Sequence, residues 1–157
     1  MSSTNDDSYY MGLALEEAAR SLEEDHIPVG AVIVCDGEVV ARGRNEVNRL
    51  ESVFAHAEMQ AMSEIEQFLY NNKGRCTLYT TLEPCMMCLG AIVYNEIARL
   101  VVAMRAPGVG GIKMLDAVEH YRKNAPEIEI GFMEQESREL IRKYVAKTGL
   151  RADLLED

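Results

Sequence analysis

Strand-like and helix-like segments alternate along this 157-residue chain. Residues 29–35 and 38–45 predict two strands joined by a tight turn at Asp36-Gly37, and strand-like runs follow at 76–81, 99–104 and 127–132. Helical patterns precede the hairpin, with apolar residues from Met11 to Leu22, and occur at 55–70, 84–94, 114–123 and around 140–145. An initial hairpin followed by alternating helices and strands predicts an α/β fold. We expect one domain over residues 1–157, a three-layer αβα sandwich with a mixed sheet and helices on both faces.

Composition and charge narrow the possible partners. With 48% hydrophobic and 27% charged residues, the chain has the make-up of an ordered globular domain. No apolar run reaches the roughly 20 residues of a membrane span, and the first ten residues are polar, so we expect a cytoplasmic protein without a membrane partner. The net charge of -10 disfavours nucleic acid, because phosphate binding depends on Lys and Arg. A basic stretch between Arg138 and Arg151 is either a solvated helix face or a local nucleic-acid contact.

A Cys-x-x-Cys motif, Cys85-Met86-Met87-Cys88, follows Pro84 at the predicted start of a helix. Cysteines three residues apart share one helix face, so both sulfur atoms can reach one metal ion. The positive end of the helix also favours their thiolate forms. Taken alone, this motif fits a redox dithiol, half of a structural zinc site or part of a catalytic zinc site.

A second motif, His56-Ala57-Glu58, lies at the start of another predicted helix. If the two helices pack side by side with their first residues level, His56 joins Cys85 and Cys88 as a third zinc ligand. Three protein ligands leave one zinc position free for water, as in catalytic sites. Zinc lowers the pKa of that water towards about 7, and the Glu58 carboxylate is placed to move its proton. Together the two motifs predict a catalytic zinc centre.

These motifs resemble the cytidine and deoxycytidylate deaminase superfamily, whose signature is His-x-Glu followed by Pro-Cys-x-x-Cys. The resemblance extends from about Gly12 to Met104. It is strongest over residues 80–92, which are similar to bacterial tRNA adenosine deaminases and to deaminases of free bases.

The resemblance implies a cytidine deaminase-like fold with a five-stranded sheet between helices, a homodimer and Zn²⁺ as cofactor. It implies hydrolytic attack on a ring carbon that bears an amino group, with release of ammonia. It also implies that Asn45 and the backbone N–H of Ala57 contact the substrate.

Two substrate branches compete. The acidic charge, and the resemblance of the step Pro28-Val29-Gly30 to fungal-type cytosine deaminases, favour a small nucleobase or nucleoside, with cytosine first and guanine also compatible. In that branch an acidic tail closes the pocket, which makes Asp157 a candidate contact; a frayed terminus is the other interpretation of the tail. The alternative substrate is adenosine in tRNA, which the sequence around Leu82-Glu83-Pro84 favours. A non-catalytic zinc protein or a redox Cys-x-x-Cys protein is the hypothesis from another class.

Overall fold

The sheet has five strands in the order β2-β1-β3-β4-β5. The computed structural model describes residues 4–156, with side chains from residue 6 onward. The strands are β1 (Gly30–Cys35), β2 (Glu38–Arg44), β3 (Cys76–Leu82), β4 (Arg99–Met104) and β5 (Glu127–Ile130). β1 runs antiparallel to β2 and β3, whereas β3, β4 and β5 are parallel. The predicted mixed sheet is confirmed. In the hairpin turn, Asp36 and Gly37 both have positive φ, 52° and 80°, as a two-residue turn of this kind requires.

Helices cover both faces of the sheet. They are α1 (Thr4–Glu23), α2 (Ala57–Glu64), α3 (Glu66–Asn71), α4 (Met86–Tyr94), α5 (Glu119–Asn124) and α6 (Glu134–Thr148). Two short 3-10 helices span Ile112–Ala117 and Ala152–Leu155. Because side chains alternate along each strand, β4 packs Val101 beneath α1 and packs Leu100 and Val102 into the core on the other face. No helix in the described part of the chain is long and apolar enough to cross a membrane.

Three predicted helices differ from the observed ones. The predicted helix 55–70 is two helices, because β-branched Ile65 adopts a more extended backbone with φ −128° between them. The predicted helix 84–94 begins at Met86, since Cys85 is extended and forms an isolated β-bridge with Gly110. The predicted helix 114–123 is a 3-10 helix followed by α5, and extended Val118 separates the two.

The two ends of the chain are more ordered than the pattern suggests. α1 begins at Thr4, well before Met11. The buried Asp7 carboxylate fixes its first turn by accepting hydrogen bonds from Arg99 and from the Tyr79 hydroxyl. At the other end, Gly149 ends α6 with φ 72°, and the chain then folds back so that Leu154 is fully buried. The interpretation of the tail as a frayed terminus is therefore wrong for the residues up to 156. β5 is also shorter than predicted, because Gly131 has φ 94°.

α2 packs exceptionally close to strand β2. A Cβ atom placed on Gly43 would lie 2.2 Å from the carbonyl oxygen of Ala57 and 2.7 Å from the nitrogen of Ala61. Only glycine fits this contact. The close approach fixes the first turn of α2 against the sheet, beside the carboxyl ends of β3 and β4.

Candidate metal centre and active site

The two predicted motifs meet at two neighbouring helix starts. His56 is the residue that precedes α2, and Cys85 is the residue that precedes α4. Cys88 lies in the first turn of α4 and is fully buried. α2 and α4 contact each other, so the three side chains converge as the sequence predicts.

The three donor atoms have the spacing of a tetrahedral zinc site. His56 Nδ1 lies 3.6 Å from Cys85 Sγ and 3.4 Å from Cys88 Sγ, and the two sulfur atoms are 3.7 Å apart. Zn–S bonds of about 2.3 Å and Zn–N bonds of about 2.0 Å at tetrahedral angles give S–S edges of about 3.8 Å and N–S edges of about 3.5 Å. The donor set therefore fits zinc. Within the described residues no fourth His, Cys, Asp or Glu joins the group, which leaves one position for water.

The protonation of the two thiols depends on their mutual contact. The hydrogen bond between Cys85 and Cys88 is the largest cause that lowers the pKa of the Cys85 thiol, and together with the contact to His56 it brings that pKa to about 3. The same hydrogen bond, followed by burial, raises the pKa of Cys88. Cys88 must lose its proton to ligate a metal, so metal binding here releases a proton and strengthens as the pH rises.

Glu58 is a buried carboxyl group in the first turn of α2. It is 3% exposed, and burial raises its pKa above the ordinary value. The Thr80 hydroxyl lies 3.0 Å from Glu58 Oε1 and 3.0 Å from the carbonyl oxygen of Leu82. One hydroxyl proton can serve only one of these acceptors. Thr80 can thus donate to ionised Glu58, or accept from protonated Glu58 while it donates to Leu82. This arrangement suits a carboxyl group that gains and loses a proton.

A cavity of about 240 Å³ opens beside these residues. His56, Ala57, Glu58 and Cys85 form its floor. Its remaining wall consists of the apolar side chains of Ile27, Val29, Leu82 and Val109 together with Asn45, Glu83 and Arg151. A flat ring with a polar edge fits such a mainly apolar pocket with few polar groups.

Residues 4–104 match the family model of the cytidine and deoxycytidylate deaminase zinc-binding region. The chain belongs to this zinc-binding deaminase family. It is thus a zinc-dependent hydrolase, and the family assignment agrees with the open three-ligand site rather than with a redox dithiol.

The most similar proteins found include tRNA-specific adenosine deaminases. The deaminase is 36% identical to the protein of that description from Agrobacterium fabrum over 142 residues, covering 87% of this chain and 92% of the relative. It is 41% identical to the Aquifex aeolicus protein of the same description over 106 residues, covering 66% and 70%.

Two solved structures share the deaminase fold. One, from work on A-to-I editing by tRNA:A34 deaminases, superposes with a TM-score of 0.78 at 36% identity and covers 85% of this chain and 99% of that one. The other, a guanine deaminase from Nitrosomonas europaea, gives a TM-score of 0.75 at 25% identity and covers 87% and 83%.

The structure places most of the predicted site residues around one pocket. Asn45 lies in the wall, where its side-chain amide donates to the carbonyl oxygen of Ile27 and its side-chain oxygen accepts the Val47 N–H. Ala57 is the first residue of α2. Asp157 lies outside the described residues, so its predicted substrate contact stays a prediction. His26, which lies just after α1, is buried, and its Nε2 accepts the Arg49 N–H.

Three residues that line or support the pocket, Thr80, Glu83 and Arg151, were not predicted from the sequence. Thr80 and Glu83 lie in the run that carries the family resemblance, but their roles depend on contacts with Glu58 and with a distant loop. Arg151 reaches the pocket only because the tail folds back after α6. Each contact joins parts of the chain that are far apart in sequence, so no local pattern indicates it.

Proposed function

We propose that this deaminase converts adenosine in tRNA to inosine by hydrolysis. The observation that carries the proposal is the match at 36–41% identity to tRNA-specific adenosine deaminases over most of the chain. The expectation that cytosine leads is not supported by these comparisons, which favour the alternative that the sequence left open.

The proposed reaction assigns a distinct task to each side chain at the site. We assign His56, Cys85 and Cys88 as zinc ligands. Zinc, when bound, supplies an activated water at neutral pH. Glu58 takes a proton from this water as its oxygen bonds to C6 of the adenine ring. Glu58 then delivers a proton to the departing amine, the C–N bond breaks, and ammonia leaves while the oxygen stays on the ring. The raised pKa of buried Glu58 supports this shuttle, because a group that both takes and gives protons works best near the ambient pH.

The orientation of the ring is assigned to the pocket wall. Asn45 offers an amide and a carbonyl oxygen at the edge of the cavity, and we infer that it contacts the base together with the Ala57 N–H. The apolar side chains of Val29, Leu82 and Val109 supply faces for the ring.

The basic stretch of α6 gives little support for RNA binding. Arg138 pairs with Glu134 at 2.9 Å, Arg142 lies 3.5 Å from Glu139, and Lys147 pairs with Asp25. The predicted alternative of a solvated helix face fits these ion pairs better.

Two basic side chains that are more accessible to RNA than those of α6 lie at the loop that carries Val109. Arg105 and Lys113 flank this loop, both are exposed, and neither has an ion pair within the described part of the chain. We infer that they contact phosphates on either side of the adenosine, since unpaired cations release counterions from RNA most effectively.

A free base such as guanine is the second candidate. The fold-back of the tail supports it, because Leu154 is buried and Arg151 closes one side of the pocket, and the guanine deaminase shares the fold.

A substrate panel separates the two candidates. Zinc-loaded protein is incubated with tRNA from a deaminase-free source, with an isolated anticodon stem-loop, and with adenosine, guanine and cytosine, and ammonia is measured. We expect release from tRNA, with inosine appearing at the wobble adenosine. Release from guanine or cytosine with none from tRNA would reverse the assignment.

We also infer a homodimer. α4 and the neighbouring segments up to α5 expose several apolar side chains, namely Met86, Tyr94, Met114 and Val118. Exposed apolar clusters of this kind are typical of interfaces. Sedimentation equilibrium measures the mass directly, and a monomer at micromolar concentration would contradict the inference.

A further inference from the structure

Glu83 is a buried glutamate with no task in the reaction above. It directly precedes Pro84 and is 7% exposed. Its two carboxylate oxygens accept backbone N–H groups from two separate places. Oε2 accepts from Ala106 at 3.0 Å, and Oε1 accepts from Ile112 at 3.3 Å. One side chain thus holds both ends of the segment that runs from the end of β4 to the first residue of the 3-10 helix, residues 105–112, which we name the wall loop.

The backbone of the wall loop packs directly against the Glu83 side chain. A Cβ atom on Gly110 would lie 2.2 Å from Cδ of Glu83, so the loop backbone lies directly on the carboxylate. Gly110 also forms a β-bridge with Cys85, and the Gly111 N–H donates to the carbonyl oxygen of Pro84 at 2.8 Å. The wall loop is therefore fixed to the same turn that presents the metal-ligating Cys85.

The wall loop forms part of the pocket. Val109 lies at its tip, is 46% exposed and faces the cavity together with Glu83. Both carboxylate oxygens of Glu83 accept backbone N–H groups, which can only donate. Glu58 differs, because it contacts the Thr80 hydroxyl, which can either donate or accept a hydrogen bond. Its geometry is that of a clamp.

We propose that Glu83 is a positioning residue that holds the wall loop against the Cys85 turn, and that it thereby sets how far Val109 stands from the bound ring and which ring the pocket accepts. The substrate identity assigned above is not needed for this proposal. The Glu83 carboxylate acts through the loop backbone and touches no reacting atom.

The first test is Glu83→Gln, which keeps the shape but turns one acceptor into a donor that faces a backbone N–H. Hydrogen exchange of the amides of Ala106 and Ile112 should accelerate about tenfold or more, because each loses or weakens a charge-assisted bond. Exchange of the Leu100 and Val102 amides in β4 should not change, and zinc content should stay at the wild-type value. Glu38→Gln, on the exposed edge of the sheet, is the matched control and should alter none of these amides.

The second test uses the best substrate of the panel. Glu83→Gln should raise KM about tenfold or more while kcat changes less than about threefold, because a misplaced wall weakens binding in the ground and transition states alike. Val109→Ala, which leaves the clamp intact, should raise KM in the same direction and change the kcat/KM ratio between the best substrate and the next best.

Results of two kinds would overturn the proposal. One is unchanged exchange at Ala106 and Ile112 in Glu83→Gln, or exchange that rises equally across the sheet. The other is Val109→Ala with wild-type KM and selectivity, which can be tested even where Glu83→Gln does not fold. The exchange experiment needs no substrate, so a failed clamp and a failed substrate assignment give different results.

Discussion

Gly43→Ala should reduce catalytic activity by more than its loss of fold stability explains, because it displaces residues of the site. The added Cβ would lie 2.2 Å from the Ala57 carbonyl oxygen, and ordinary contact begins at 3.4 Å. Relief of the overlap requires the start of α2 to move away from β2 by about 1 Å. His56 and Glu58 move with it. We expect a loss of about 1–3 kcal/mol in the free energy of unfolding, as overpacking usually costs. Because a displacement of about 1 Å can cost a hundredfold in rate, we expect kcat/KM to fall about a hundredfold.

The chain offers a matched control at Gly30. A Cβ there would lie 1.9 Å from the carbonyl oxygen of Ala14 in α1, a helix that carries none of the proposed ligands. Gly30→Ala should destabilise the fold at least as much, yet lower kcat/KM by less than about tenfold under conditions where both variants are folded. Urea unfolding, zinc content and ammonia release are measured on the same preparations. Equal activity losses in the two variants would refute the idea that the close contact at Gly43 sets the position of α2 relative to β2.

Three further perturbations test other parts of the account. Thr80→Val removes a hydrogen bond that lowers the pKa of Glu58, so the pKa of Glu58 should rise. The acid limb of the pH–rate profile should then move to higher pH, and kcat should fall about tenfold or more. An acid limb at the wild-type pH would show that Thr80 has no part in the proton shuttle. Asp7→Asn removes the buried carboxylate that pairs with Arg99, while the more exposed Glu129 remains as a charged partner of that guanidinium; the loss of the charged hydrogen bonds should cost about 1.5–3 kcal/mol in urea unfolding, whereas a loss below about 0.5 kcal/mol would show the pair to be unimportant. Arg105→Glu should weaken tRNA binding and reduce the slope of log K against log salt by about one, while Lys143→Glu, on α6, should leave the slope unchanged; the opposite pattern would favour the α6 face.

The chemistry of the site could be predicted from sequence because its signals are local. His56 and Glu58 lie two residues apart, and Cys85 and Cys88 three apart, so each pair is positioned by one helix start. The alternation of strands and helices then limits how the two helix starts can meet, and the structure brings them together with tetrahedral spacing.

Other features depend on packing that no short pattern encodes. The break at Ile65 has no glycine or proline to mark it, and helical periodicity continues through it. The fold-back of the tail buries Leu154 and lets Arg138 donate to the carbonyl oxygen of Leu155, although the acidic segment around them resembles a frayed end in sequence. Net charge favoured a small substrate, whereas the relatives favour tRNA; net charge averages over the whole surface and says nothing about a single exposed cation such as Arg105.

We assign hydrolytic deamination to zinc on His56, Cys85 and Cys88 and to a proton shuttle on Glu58. The most direct test measures zinc content and ammonia release together in the wild type, in Glu58→Ala and in His56→Ala. We predict that Glu58→Ala keeps one zinc per chain and loses at least about a hundredfold in turnover, whereas His56→Ala loses the zinc as well. Turnover near the wild-type rate in zinc-loaded Glu58→Ala would contradict the account.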